Sequence, residues 1–228
     1  RCGPSRRRCH PSRRRGTVRF GAGTVSVGKG ADWGERAQPP ADLIVVDDSA
    51  AAIETIAAER RANRPLPALG LRGGDLVRTL GGPTALDLAS AEEALHVTVD
   101  LGAVLVDGAL HWFLDHLVAR QSWLRGRVLV VANAAFVDNW NIAPRAHPGD
   151  GRLDTLETST MSLRDRWQAR SRLNLGPHVP HPAITTRRVE AVQYDFERPT
   201  PIRLDGRSIG EAQHLSVRLE PDAVDIWI

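Results

Sequence analysis

Residues 66–81 read LPALGLRGGDLVRTLG. A short apolar run, Leu66–Leu71, breaks at Arg72-Gly73-Gly74-Asp75. A second apolar stretch, Leu76 to about Leu80, closes on Gly81-Gly82-Pro83. This reads as a strand, a glycine turn and a short helix. Just upstream, Asp42–Val46 (DLIVV) reads as a buried strand, and Ser49–Arg61 (SAAAIETIAAERR) as a helix with Ser49 as its N-cap. Strand, helix, strand, glycine turn and helix in that order predict a parallel α/β layer.

Downstream of Ala94 the texture changes. Residues 94–119, 125–137, 151–158, 184–196, 200–206 and 214–228 are alternating or continuously apolar β runs. Turn signals such as Val106-Asp107-Gly108 and Leu204-Asp205-Gly206 separate them. One helical break is expected at Ser162–Leu173, and a small hairpin at Thr17–Val27. The predicted fold class is α/β plus all-β, a truncated Rossmann-like lobe followed by a β-sandwich lobe. The expected divisions are a basic disordered tail at 1–15, the α/β lobe at 16–90 and the β-sandwich at 91–228.

Charge points the same way once it is divided by position. The 228 residues carry +3 with a pI near 9.5, which invites a nucleic-acid partner. Residues 1–15 hold seven arginines and no acid; the remaining 213 hold 23 basic and 27 acidic side chains. The basic excess is therefore the tail, and no nucleic acid is expected for the body. Both cysteines, Cys2 and Cys9, also lie in the tail, which excludes a disulfide framework or a cysteine metal site in the body. No apolar run approaches the roughly 20 residues of a membrane span, and the tail lacks the apolar stretch of a secretory signal. A cytoplasmic protein is the expectation, with peripheral membrane contact left open.

The 66–81 stretch resembles the second phosphate loop of the diacylglycerol kinase and lipid kinase family, within the NAD kinase–diacylglycerol kinase-like superfamily. Val99-Asp100-Leu101-Gly102 followed by Phe113 is similar to the opening of that family's β domain. Asn133, Ile142-Ala143-Pro144-Arg145-Ala146 and Asp150-Gly151-Arg152-Leu153-Asp154 resemble its next stretch, and Leu204-Asp205-Gly206 with Val217–Val224 its closing strands. The likeness covers about residues 42–228.

The resemblance implies ATP- and Mg-dependent phosphorylation of a lipid hydroxyl in a cleft between the two lobes, with a lipid or nucleotide small molecule as ligand. Carried over by position, it gives Asp75 and Asp205 as catalytic candidates. Gly73, Gly74, Asp47, Asp48 and Arg78 become nucleotide or metal contacts, and Asp150 a structural metal ligand. Each also has a plain structural reading. Asp75 can cap a helix, Asp47-Asp48 and Asp150-Gly151 can form turns, and Arg78 can make a surface ion pair. His111, Trp112, Asp115 and His116 can be read as an acid–base cluster at helical spacing, but need not meet in a strand.

Three departures weigh against the family's reaction. Where the first phosphate loop should carry glycines after Val46, the chain has Asp47-Asp48-Ser49-Ala50-Ala51. Where the family has D-G-E, with the Glu as base, the chain has Asp205-Gly206-Arg207, and Arg cannot accept a proton at neutral pH. The leading strand of the α/β lobe has no counterpart in residues 16–41. The leading expectation is thus a diacylglycerol kinase-like protein with an eroded ATP site, acting as a binding or regulatory module. The alternatives are an active ATP-dependent lipid kinase, acting on a diacylglycerol- or sphingoid-type hydroxyl, and nucleic-acid binding through the arginine tail.

Overall fold

The computed structural model describes residues 34–82, 88, 90–123, 126–158, 161–165, 167 and 183–228. The expected tail and the Thr17–Val27 hairpin lie outside these residues, as does most of the Ser162–Leu173 helix. Strand β1 (Glu35–Ala37) leads into β2 (Ile44–Val46), helix α1 (Ser49–Arg61), β3 (Leu69–Leu71) and helix α2 (Asp75–Thr79). The β series follows: β4 (Ala94–Val106), β5 (Ala109–Phe113), β6 (His116–Arg120), β7 (Val128–Ala132), β8 (Phe136–Val137), β9 (Trp140–Asn141) and β10 (Leu153–Thr158). It ends with β11 (Ile184–Val189), β12 (Ala191–Leu204) and β13 (Arg207–Trp227).

Strands β2 and β3 pair in parallel with α1 between them, the unit that the DLIVV and LPALGL runs predict. The α/β layer is continuous with the β lobe, because β3 also pairs in parallel with the end of β13 through Ile226↔Leu69 and Trp227↔Gly70. Among the described residues, one large sheet runs β1-β4-β13-β12-β6-β7-β10-β11, and its neighbours along that path are antiparallel. Irregularities in β12 between Asp195 and Thr200, and in β13 between Glu220 and Val224, let these long strands serve both halves of the fold.

The pleat of β4 separates two cores. Val97, Val99, Leu101 and Ala103 face a cluster with Ile56 of α1 and Leu76 and Val77 of α2. Val104 and Val106 turn to the opposite cluster, with Leu117, Leu129, Ile202 and Leu215. Both predicted tight turns are present. Asp107 and Gly108 have φ of 45° and 90°, Asp205 and Gly206 of 45° and 78°, the paired positive values of two-residue hairpin turns.

Two expected caps are corrected. Asp48, not Ser49, caps α1, its Oδ1 accepting the Ala51 N–H at 2.8 Å. Ser49 is the first helical residue and is buried, which frees its hydroxyl for another partner. Likewise Gly74 precedes α2, with φ 104° and ψ −179°, a conformation open only to glycine, and Asp75 begins the helix.

Candidate functional site

The loops carrying Asp47, Gly73 and Asp205 converge. The turn after β2 lies against the turn after β3: Arg72 N donates to the Val46 carbonyl at 3.1 Å, and Arg72 Nη1 lies 3.2 Å from Asp47 Oδ1. A Cβ on Gly74 would sit 3.7 Å from Asp48 and Ser49. Ser49 Oγ then donates to Asp115 Oδ1 at 2.6 Å, joining the start of α1 to the β5–β6 turn. That turn is in turn held by Asp205, whose carboxylate accepts the backbone N–H groups of Leu114, Asp115 and His116 at 2.8, 2.8 and 2.9 Å.

Asp75 closes the group from the α2 side. Its Oδ2 accepts the Asp138 N–H at 2.9 Å and lies 3.8 Å from His116 Nδ1. Arg78, one turn on, stacks over Phe136 at 4.0 Å and donates to the Asp138 carbonyl at 3.2 Å. Together Asp75 and Arg78 pin the β8–β9 hairpin to α2.

Three acids and a histidine thus share one partly dry space, and their protonation follows from it. Burial, reinforced by the Asp205 carboxylate, holds Asp115 well above the usual carboxylate range, against the pull of the Ser49 hydroxyl. Asp205 is pushed up to about 6 by burial, although its three N–H donors favour the charged form. With three donors against one, Asp205 carries the charge of this pair and Asp115 the proton. Burial also raises Asp75 and lowers His116 to about 4, so the imidazole is neutral at pH 7.

Beside this group, α1 and the β12–β13 turn enclose a cavity of about 250 Å³. The helix contributes Ala50, Ile53, Glu54, Ala57 and Arg61, one face at helical spacing. The sheet contributes His111, Trp112, Leu204, Asp205, Arg207 and Ile209. Arg207, at the position that the sequence resemblance gives to the family's base, pairs with Glu54 across the mouth. His111 and Asp115 do not meet: the first lines the cavity from β5, and the second is buried in the turn beyond it.

The Asp150 loop lies apart. Asp150 Oδ1 accepts the Arg152 N–H at 3.0 Å and Oδ2 pairs with Arg188, so a cation already occupies its carboxylate. Buried Asp100, from the Val99–Gly102 motif, accepts the Gly151 and Asp222 N–H groups at 2.8 and 2.9 Å and fixes this loop to the β13 bulge. Trp123 and Trp140 meet edge to face at 5.0 Å beside a small core, whereas Trp167 is exposed. His178 to Pro182 lie outside the described residues.

Asp154, next to that loop, makes a pH-dependent contribution. Burial lifts it to about 6, with Arg188 pulling down from 3.6 Å, and its Oδ2 has no hydrogen-bond partner. The folded pKa exceeds the usual 3.8, so the native state holds more protons than the unfolded chain between about pH 4 and 6, and stability falls as pH rises through that window. Asp154→Asn removes this titration. Denaturant unfolding is expected to find the variant about 1–2 kcal/mol more stable at pH 7.5 and equal to the parent near pH 4. Equal stability at both pH values would contradict the assignment.

Ser49, Glu54 and Asp138 join the site without having been singled out as its members by sequence, and Asp115 and His116 had been grouped only with His111 and Trp112. The available signal was Asp115-His116 two residues after Phe113, at the turn that Asp205 grips.

Solved structures of similar fold include a diacylglycerol kinase of Bacillus anthracis str. Sterne, with a TM-score of 0.58 and 16% identity over 81% of this chain and 75% of that one. A second protein from that organism, provisionally assigned as a diacylglycerol kinase, gives a TM-score of 0.61 and 16% identity over 81% of this chain and 77% of that one. At such identities the likeness speaks for the fold. Comparison with curated proteins finds no significant match. Residues 96–228, more than half of the chain, match the family described as the YegS C-terminal NAD kinase beta sandwich-like domain. With the five motifs in order and the kinase-like fold around them, the chain belongs to that diacylglycerol kinase-like family.

Proposed function

We propose that this chain is a lipid-kinase-like binding module, which takes an acidic amphiphile into the cleft between α1 and the β12–β13 turn and transfers no phosphate to it. The observation that carries the reading is Arg207. It stands at the position of the family's base, pairs with Glu54, and joins Arg61 in lining a cavity whose apolar wall is Ala50, Ile53, Ala57, Trp112, Leu204 and Ile209, with His111 and Asp205 completing it. An anionic headgroup that takes the place of Glu54 on Arg207 would meet both arginines, with its acyl chain against the apolar wall.

The residues present do not fit ATP with magnesium in the family's manner. A phosphate loop needs glycines and free amides at a helix start. Here the Ala51 amide of α1 already bonds the Asp48 carboxylate, Asp47 adds a second negative charge, and the turn before α1 holds no glycine. Three backbone amides take three of the four lone-pair sites of Asp205, which makes it the anchor of the β5–β6 turn and a poor base for a lipid hydroxyl.

A titration with monomeric short-chain phosphatidic acid, followed by Trp112 fluorescence, tests the reading. Saturable binding is expected, weakened about 10- to 100-fold by Arg207→Glu in the full chain, where the arginine tail is unchanged. Short-chain diacylglycerol, lacking the charge, is expected to bind more weakly. Equal affinity of Arg207→Glu and parent would overturn the proposal.

A further inference from the structure

His116 is the most sequestered histidine of the described residues, 4% exposed, and its Nδ1 has no hydrogen-bond partner. A buried ring nitrogen left without a partner is costly, and native proteins rarely keep one without a reason. This nitrogen points at acids. It lies 3.8 Å from Asp75 Oδ2, and one ligand atom each from Asp75, Asp115 and His116 fall within 4.8 Å of one another. The three come from separate places: the first turn of α2, the β5–β6 turn, and the first residue of β6.

We propose that Asp75, Asp115 and His116 bind a divalent transition-metal cation. Two carboxylates balance the charge, and the imidazole selects zinc, manganese or cobalt over magnesium and calcium, which prefer all-oxygen sites. Tetrahedral metal bonds of about 2.0–2.2 Å put neighbouring ligand atoms roughly 3.3–3.6 Å apart, so the widest pair, up to 4.8 Å, must close by as much as about 1.5 Å. Asp75 can supply that movement, since its side chain is the least buried of the three, at 17% exposure. Outer contacts orient the others. Ser49 bonds Asp115, and Asp205 fixes the backbone of both Asp115 and His116, the kind of support that tunes a metal site. Three protein ligands leave a coordination position open for water. None of the three ligands lines the cavity of the lipid reading, although Asp205 touches both, and the site lies apart from the Asp150 loop.

Cobalt(II) titration of the full chain, read by calorimetry and visible absorption, tests it. Because Cys2, Cys9 and His10 could bind cobalt themselves, the parent is Cys2→Ser/Cys9→Ser/His10→Gln. One Co2+ should bind in the micromolar range, be displaced by Zn2+, and resist millimolar Mg2+. His116→Gln and Asp75→Asn should each weaken it at least about 100-fold. Absence of binding below millimolar Co2+, or affinity unchanged in Asp75→Asn, would overturn the proposal. Should His116→Gln fail to fold, Mn2+ added to the parent must selectively broaden the His116 imidazole resonances, and unbroadened resonances count against the site.

Discussion

Asp205→Ala is expected to lower the unfolding free energy by about 3–5 kcal/mol, measured by urea denaturation at pH 7.5. The carboxylate is the common acceptor for three consecutive backbone N–H groups at the β5–β6 turn. Its removal strands those donors beside buried Leu114, Asp115 and His116, each at a cost of about 1–3 kcal/mol. Relief of the burial of a charge and of repulsion from Asp75 offsets part of the loss. The residue also has φ 45°, which Ala adopts poorly, so Asp205→Asn separates the two effects: it keeps the turn and one acceptor but not the charge. The sister turn is the control. Asp107 likewise has φ 45° and accepts the Gln213 and His214 N–H groups at 3.1 and 2.8 Å, but in solvent. Asp107→Ala is expected to cost only about 1–2 kcal/mol. Equal losses at the two turns would show that burial around Asp205 has been misjudged.

Gly102→Ala should be almost as damaging, at about 2–4 kcal/mol. Gly102 in β4 pairs with Phe113 in β5, and the fully buried ring lies across the glycine. An added Cβ would meet the ring at 2.3 to 2.6 Å, a distance that atoms do not tolerate. The ring cannot move aside, because it is packed with Val104, Leu117 and Ile202. Shrinking it should relieve the clash, so Phe113→Leu is expected to cost less in the Gly102→Ala background than alone, with a coupling of at least about 1 kcal/mol. Additive losses would contradict the contact.

The Val99–Gly102 and Phe113 motif was legible as a pattern before its reasons were. Asp100 ties two loops together, Gly102 makes room for Phe113, and Phe113 leads into the turn that Asp205 holds. Helix α1 was readable to its ends, since alanine-rich sequence and a polar start leave little else for it to be. The caps were not. Ser49 and Asp75 have capping side chains, yet both are used across the fold, for Asp115 and Asp138, because these loops are brought together by tertiary packing. For the same reason, His116 facing Asp75 and Glu54 facing Arg207 could not be read: the partners lie 41 and 153 positions apart on elements that only tertiary packing brings together. The join of β3 to β13 escaped a reading in two lobes, because three-residue strands say nothing about which edge they will choose.

The central claim, a kinase-like fold whose nucleotide loops have closed on their own carboxylates, is tested most directly by calorimetric titration with MgATP, followed by assay of phosphate transfer to diacylglycerol and sphingoid bases. No heat of binding at millimolar MgATP, and no transfer, is the expected result. Binding with ATP-dependent lipid phosphorylation, abolished by Asp75→Ala, would contradict it.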